Sequence, residues 1–128
     1  VTTGCFADAC ALIDFFANGA AGMGADARNA LQQSVFVSSV TVWELTRKAS
    51  LGLLPPLPTA NGSFAAWLLD HGFLPETLTW GDAEQANLLP NLHKDPMDRL
   101  LIAQALRSAR PVITSDRLFQ AYGVATIW

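Results

Sequence analysis

"DPMDRLLIAQALRSARPVITSD", residues 95–116, sets a helix and a strand back to back and decides the class of fold. Asp95–Pro96 is a helix start, a capping carboxylate followed by proline at the first helical position. The run behind it is rich in strong helix formers at helical spacing and is the strongest helix signal in the chain. "PVITSD" then reads as a short strand of the buried type, closed by polar residues. A helix feeding a fully buried strand is the repeating unit of a parallel sheet covered by helices.

The same alternation continues outward from this stretch. "GCFA" (4–7) predicts a first strand and "DACALIDFFAN" (8–18) a helix, followed by a glycine-rich loop, "GAAGMGAD". That loop has no phosphate-loop lysine and no strand directly before it, so it carries no nucleotide role. "ARNALQQ" (27–33) predicts a short helix, "SVFVS" (34–38) a second strand, and "SVTVWELTRKASLG" (39–52) a helix closed by Gly52. The prolines of "LLPPLPTANG" forbid regular structure, and "SFAAWLLDHG" is a helix ending at Gly72. "PETLTW" (75–80) reads as a weak third strand, "GDAEQANLLP" as a helix and "VATIW" (124–128) as a last, edge-like strand. No repeat or second domain is visible, and residues 1–128 read as one domain.

Composition narrows the function classes. Apolar residues make up 51% of the 128 and charged residues 15%, with a net charge of −3. Such a chain has no basic face for non-specific nucleic-acid binding, so a metal held by carboxylates would have to draw phosphates in. No stretch approaches the roughly 18 apolar residues of a membrane span. The opening residues lack the charged start of a signal peptide, so a cytoplasmic protein is expected; no Met begins the chain, so a trimmed or replaced N-terminus is expected too. Cys5 and Cys10, the only cysteines, have no metal or redox spacing and read as small buried hydrophobes. The four tryptophans read as core or interface anchors.

Only eleven Asp and Glu residues are present, so their placement is informative. Asp8 ends the first predicted strand and Asp116 the "PVITSD" strand. Glu44 lies about a turn and a half into the helix after the second strand, and Asp98 lies in the first turn of the strongest helix. In open α/β sheets, strand C-termini and helix N-termini share one rim, where ligands bind. All four acids fall on that rim. Like charges gathered there repel one another unless a cation intervenes. Mg²⁺ or Mn²⁺, hard ions that take oxygen ligands, resolve the conflict and suit in-line phosphodiester displacement. His71 and His93 show no metal-ligand spacing, and no serine sits in a nucleophile elbow.

Each acid also has a structural reading. Asp95 caps its helix, and Asp98 suits the dipole of the same helix. Glu44 can pair with Lys48 four residues on. Asp8 and Asp116 can cap whatever follows their strands. Asp14, Asp26, Asp70, Glu76, Asp82 and Glu84 read as solvated charges. Arg99 and Arg117 each follow a rim acid and read either as phosphate contacts or as surface ion-pair partners.

"FADACALIDFF", "VSSVTVWELTRKASLGLL", "HKDPMDRLLIAQAL" and "VITSDRLFQAYGVATIW" together resemble PIN-domain ribonucleases, most of all the toxin subunit of VapBC-type toxin–antitoxin pairs. The resemblance spans almost the whole chain. It implies a three-layer α/β/α sandwich with a central parallel sheet of order 3-2-1-4-5. It also implies Mg²⁺- or Mn²⁺-dependent cleavage of RNA, a homodimer, and a VapB-like antitoxin that blocks the site. Carried onto this sequence, the metal-binding and catalytic acids are Asp8, Glu44, Asp98 and Asp116, with Asp95 left as the cap. Two departures stand out: the family commonly has Thr or Ser and then His after the first Asp, where this chain has Ala9 and Cys10. The lost hydroxyl removes a hydrogen bond that supports a ligand, but no ligand is lost and Thr114 and Ser115 keep polar support beside Asp116, so activity is expected to survive, weakened. A degenerate domain that binds its antitoxin and operator DNA without cutting is the alternative. A phospho-acceptor receiver fails on the missing lysine after a late strand.

Overall fold

A computed structural model of the protein describes residues 4–128. Five strands form one parallel sheet: β1 (Cys5–Ala7), β2 (Val35–Ser38), β3 (Leu74–Glu76), β4 (Val112–Ile113) and β5 (Thr126–Ile127), in the order β3-β2-β1-β4-β5. This is the expected 3-2-1-4-5 arrangement. Six helices surround it: α1 (Ala9–Asn18), α2 (Ala25–Ala30), α3 (Ser39–Ser50), α4 (Phe64–Asp70), α5 (Trp80–Leu88) and α6 (Pro96–Ser108). Two 3₁₀ turns, Ala20–Gly22 and Arg117–Tyr122, complete the chain.

The period-two alternation of the strands divides the interior into two cores. Cys5 and Ala7 of β1, Val35 and Val37 of β2 and Ile113 of β4 face one core, filled by Leu12, Ala27, Phe64 and Leu68 from α1, α2 and α4. Phe6 and Val112 face the other, with Leu101, Ile102 and Ala105 of α6, Ala86 of α5 and Phe119. Strands as short as two residues hold because both faces are covered, leaving almost no alternation with solvent. Helix α3 sits across the division, giving Val40 to one core and Leu45 to the other.

Three elements differ from the sequence expectation. The third strand runs over Leu74–Glu76 rather than 75–80. Its downstream half is claimed by helix α5, because Thr79 and Asp82 form a reciprocal capping box: Thr79 Oγ1 accepts from the Asp82 N–H at 3.1 Å and the Asp82 carboxylate from the Thr79 N–H at 3.0 Å. Pro75 is tolerated in β3 because that strand lies at the sheet edge. Helix α2 starts two residues earlier than read, directly after Gly24. A Cβ on Gly24 would fall 2.3 Å from the Trp128 carbonyl carbon, so the missing side chain lets the start of α2 close against the last strand. The Arg117–Tyr122 turn carries no strong sequence signal, being a single short 3₁₀ segment that stops at Gly123 in the left-handed region.

Two further helix ends repay comparison. Helix α3 ends in a Schellman motif with Gly52 at φ 74°, the Gly52 N–H donating to Ala49 O and the Leu53 N–H to Lys48 O. Helix α6 closes the same way, with Ala109 N–H to Leu106 O and Arg110 N–H to Ala105 O, but its left-handed residue is Ala109, at φ 53°.

Candidate active site

The strand order reverses at β1, which pairs with β2 on one side and β4 on the other. At the C-terminal ends of β1 and β4 the chain presents Asp8 and the Thr114–Asp116 segment. The first turns of α1, α3 and α6 face the same crevice, as α/β geometry requires.

Asp8 is 2% exposed. Its Oδ1 accepts the Ala11 N–H at 2.8 Å, capping α1, and its Oδ2 accepts the Thr114 hydroxyl. The Asp8 backbone N–H donates to Ile113 O, tying the two strand ends together. Burial pushes the Asp8 carboxyl up to about 6, against the hydrogen bonds from Thr114 and Ala11, and the charges of Asp116 and Glu44 add to the rise. The Asp98 carboxyl stands at about 7, raised first by burial and then by Asp95, opposed by His93, and raised further by Glu44 and Asp8. Four acids far apart in sequence therefore share one electrostatic field.

Glu44 is buried on α3 and receives Lys48 Nζ at 2.7 Å, the expected pair one turn away; the bond raises the lysine. Asp116 caps the last 3₁₀ turn by accepting the Leu118 N–H through Oδ1. Thr114 Oγ1 in turn accepts the Asp116 N–H at 3.0 Å. One hydroxyl thus serves two acids, donating to Asp8 and accepting from the backbone of Asp116. It supplies the support that Ala9 does not. Asp95 caps α6 through the Met97 N–H. Within the first turn of that helix, Asp95 is the cap and Asp98 faces the crevice.

Sequence spacing missed His93. Its Nε2 lies 2.9 Å from Asp116 Oδ2 and 3.1 Å from Asp98 Oδ2. One atom each from His93, Asp98 and Asp116 lie within 4.8 Å of one another, which gathers the two carboxylates at one point beside the ring. The oxygen-rich donor set, with Asp8 and Glu44 in the same field, fits a hard divalent ion. The histidine could be found in the sequence only from its place two residues before the Asp95 cap, since Asp98 and Asp116 approach it through the fold.

Three side chains depart from expectation. Arg99 neither pairs with a surface acid nor faces a phosphate. Its guanidinium donates to the carbonyls of Ala86, Leu89 and Pro90 at 2.7–2.9 Å, clamping the α5–α6 loop. Cys10, read as buried, is exposed on the first turn of α1; partial burial of its sulfur, then Asp8, Asp98 and Glu44, push the thiol up to about 11. Asp82, read as solvated, is 1% exposed and receives Arg107 Nε at 2.6 Å and Nη2 at 3.1 Å. Arg117 is exposed beside Asp116, as a phosphate contact requires.

A parallel 3-2-1-4-5 sheet with helices on both faces and an acidic crevice where its strand order reverses defines an open α/β fold. The chain belongs to the PIN domain family, whose model matches residues 5–125. That family is typically one of metal-dependent nucleases. The structure is similar to the crystal structure of FitAcB from Neisseria gonorrhoeae, with a TM-score of 0.55 at 18% identity over 94% of each chain. No curated protein sequence matches the chain. Among the described residues no helix is long and apolar enough to cross a membrane.

Proposed function

We propose that this protein is a Mg²⁺- or Mn²⁺-dependent endoribonuclease of the cytoplasm, acting as the toxin of a VapBC-type toxin–antitoxin pair. The observation that carries the reading is the convergence of Asp8, Glu44, Asp98 and Asp116 on one rim of a PIN fold, with Asp8 and Asp98 raised by burial and by the other acids. Carboxylates raised in this way hold a latent demand for a cation. Asp8, Glu44, Asp98 and Asp116 would hold it. When bound, the ion supplies water activation and stabilisation of the departing oxygen at phosphorus.

The chain's own residues then act by position. Asp8 is held by the Ala11 N–H and the Thr114 hydroxyl. Lys48 keeps the Glu44 carboxylate turned along α3. Arg117 is free to meet the RNA backbone on the open side of Asp116, and Arg99 is committed to its loop carbonyls. For the antitoxin, an open apolar groove of about 400 Å³ between α1, the proline-rich loop and α4, lined by Ile13, Phe16, Leu54, Leu57 and Trp67, offers a surface for the apolar face of a partner segment. The exposed Trp80 and Leu88 of α5 suit a homodimer contact.

The test is cleavage of total RNA by antitoxin-free protein with Mg²⁺ or Mn²⁺, beside EDTA, Asp8→Asn and Asp116→Asn. Metal-dependent fragments that drop at least a hundredfold with either substitution are expected. Intact RNA from folded, metal-loaded protein would sink the nuclease and leave the antitoxin-binding scaffold, with Ala9 as the first suspect.

A further inference from the structure

His93 is held more firmly than a loop residue beside an acid needs to be. Its backbone N–H donates to the Tyr122 hydroxyl at 2.7 Å, and the same hydroxyl accepts the Leu92 N–H and donates to Pro90 O. Arg99 braces the loop from the other side through Pro90 O and, at 3.4 Å, His93 O. The imidazole stands edge-on to Phe119, with centroids 6.2 Å apart. The Asp95 N–H donates to Nδ1 at 3.2 Å, so Nδ1 is an acceptor and the ring proton sits on Nε2. Nε2 is the atom between Asp98 and Asp116, at 3.1 and 2.9 Å.

A nitrogen that carries its proton toward two carboxylates is a donor and has no lone pair to give a cation. Asp116 Oδ1 is committed to the Leu118 N–H and Oδ2 to His93, so both of its oxygens are fixed in direction while each keeps a lone pair. We propose that His93 is a positioning residue of the metal centre: Nε2–H draws Asp98 and Asp116 together and orients them toward the cation, and the imidazole stays outside its coordination. The Tyr122–Arg99 clamp on the loop is the means by which the fold aims the ring. This rests on the metal-centre reading above and deepens it.

The experiment is Mn²⁺ binding to the full chain, followed by electron paramagnetic resonance with nitrogen hyperfine detection, in wild type, His93→Ala, His93→Gln and Tyr122→Phe. Loss of the donor is expected to weaken Mn²⁺ binding by about ten- to a hundredfold in His93→Ala. Most of that loss should return in His93→Gln, whose amide N–H replaces the donor, with no coupling from a directly bound imidazole nitrogen in wild type. Tyr122→Phe, which leaves the ring in place but frees its backbone, should weaken binding at least threefold and carries the test if His93→Ala does not fold. A directly bound nitrogen in wild type that vanishes without His93 overturns the inference by making it a ligand. So does Mn²⁺ affinity unchanged in His93→Ala or, where that variant fails to fold, in Tyr122→Phe. Wild-type protein that binds no Mn²⁺ overturns the metal reading itself and this inference with it.

Discussion

At the scale of single residues, the acid centre is an arrangement the fold tolerates at a cost to its own stability. A carboxyl raised above its unfolded value binds more protons folded than unfolded, so its favourable contribution is present at low pH and lost as pH rises through the folded value. Asp8, at about 6, and Asp98, at about 7, place that loss between about pH 4 and 7. In EDTA, the unfolding free energy from denaturant titration should therefore be higher at pH 5 than at pH 8, by an amount on the order of 2 kcal/mol for each carboxyl. Added Mg²⁺ or Mn²⁺ should flatten the curve, and Asp98→Asn should remove the Asp98 share of it without metal, leaving that of Asp8. A metal-free profile that rises toward pH 8 would show these acids to be unstrained. The rim acids were legible because strand ends and helix starts have fixed places in a parallel sheet. Thr114 was legible as support beside Asp116 but not as the partner of Asp8, 106 residues away, and His93 was harder still, because its partners reach it through the fold.

At the scale of elements, the two Schellman ends of α3 and α6 set up a direct comparison. Gly52 takes its left-handed conformation without penalty, whereas Ala109 holds φ 53° with a Cβ against the following carbonyl. Ala109→Gly should stabilise the protein by about 0.5–1 kcal/mol, measured by chemical unfolding, with metal binding unchanged. The α5–α6 pair depends on Asp82 and Arg107. Burial works against the Asp82 charge, but the hydrogen bonds from Arg107 and Thr79 win and hold its carboxyl below the ordinary value. Arg107→Ala leaves that carboxylate buried with only its cap partners and should lower stability by roughly 2–3 kcal/mol. Little of this pairing is visible in the sequence. Asp82 looks like any first-turn acid until α6 is laid against α5, and Arg99 looks like a phosphate contact until the carbonyls of residues 86, 89 and 90 turn toward it. The strand boundaries erred for a related reason, since a capping box at Thr79 outcompeted a weak strand that had only one neighbour to pair with.

At the scale of the whole molecule, a net charge of −3 leaves RNA without a general electrostatic attraction. Binding of a short RNA should accordingly be weak in EDTA and at least tenfold stronger with Ca²⁺, used as a cation expected to support binding with little cleavage, as read by fluorescence anisotropy. Equal affinity in EDTA and Ca²⁺ would move the binding surface away from the acid rim. The overall order of strands was accessible from the sequence because helix and strand signals alternate along it, and a resemblance to one family supplied the permutation. The two-residue strands β4 and β5 were recognisable only by their apolar character.

The sheet order has a consequence for the chain's birth. β1 is made before every other strand of the sheet, but its β4 neighbour, and with it Thr114, follows Asp8 only after 106 further residues. Throughout that interval a ribosome carries a nascent chain whose acid centre has only one wall. A transcript cut short, or a ribosome stalled before β4, releases a fragment with Asp8 and no counterpart across the crevice. An acid centre assembled in this order stays incomplete until β4 has been made.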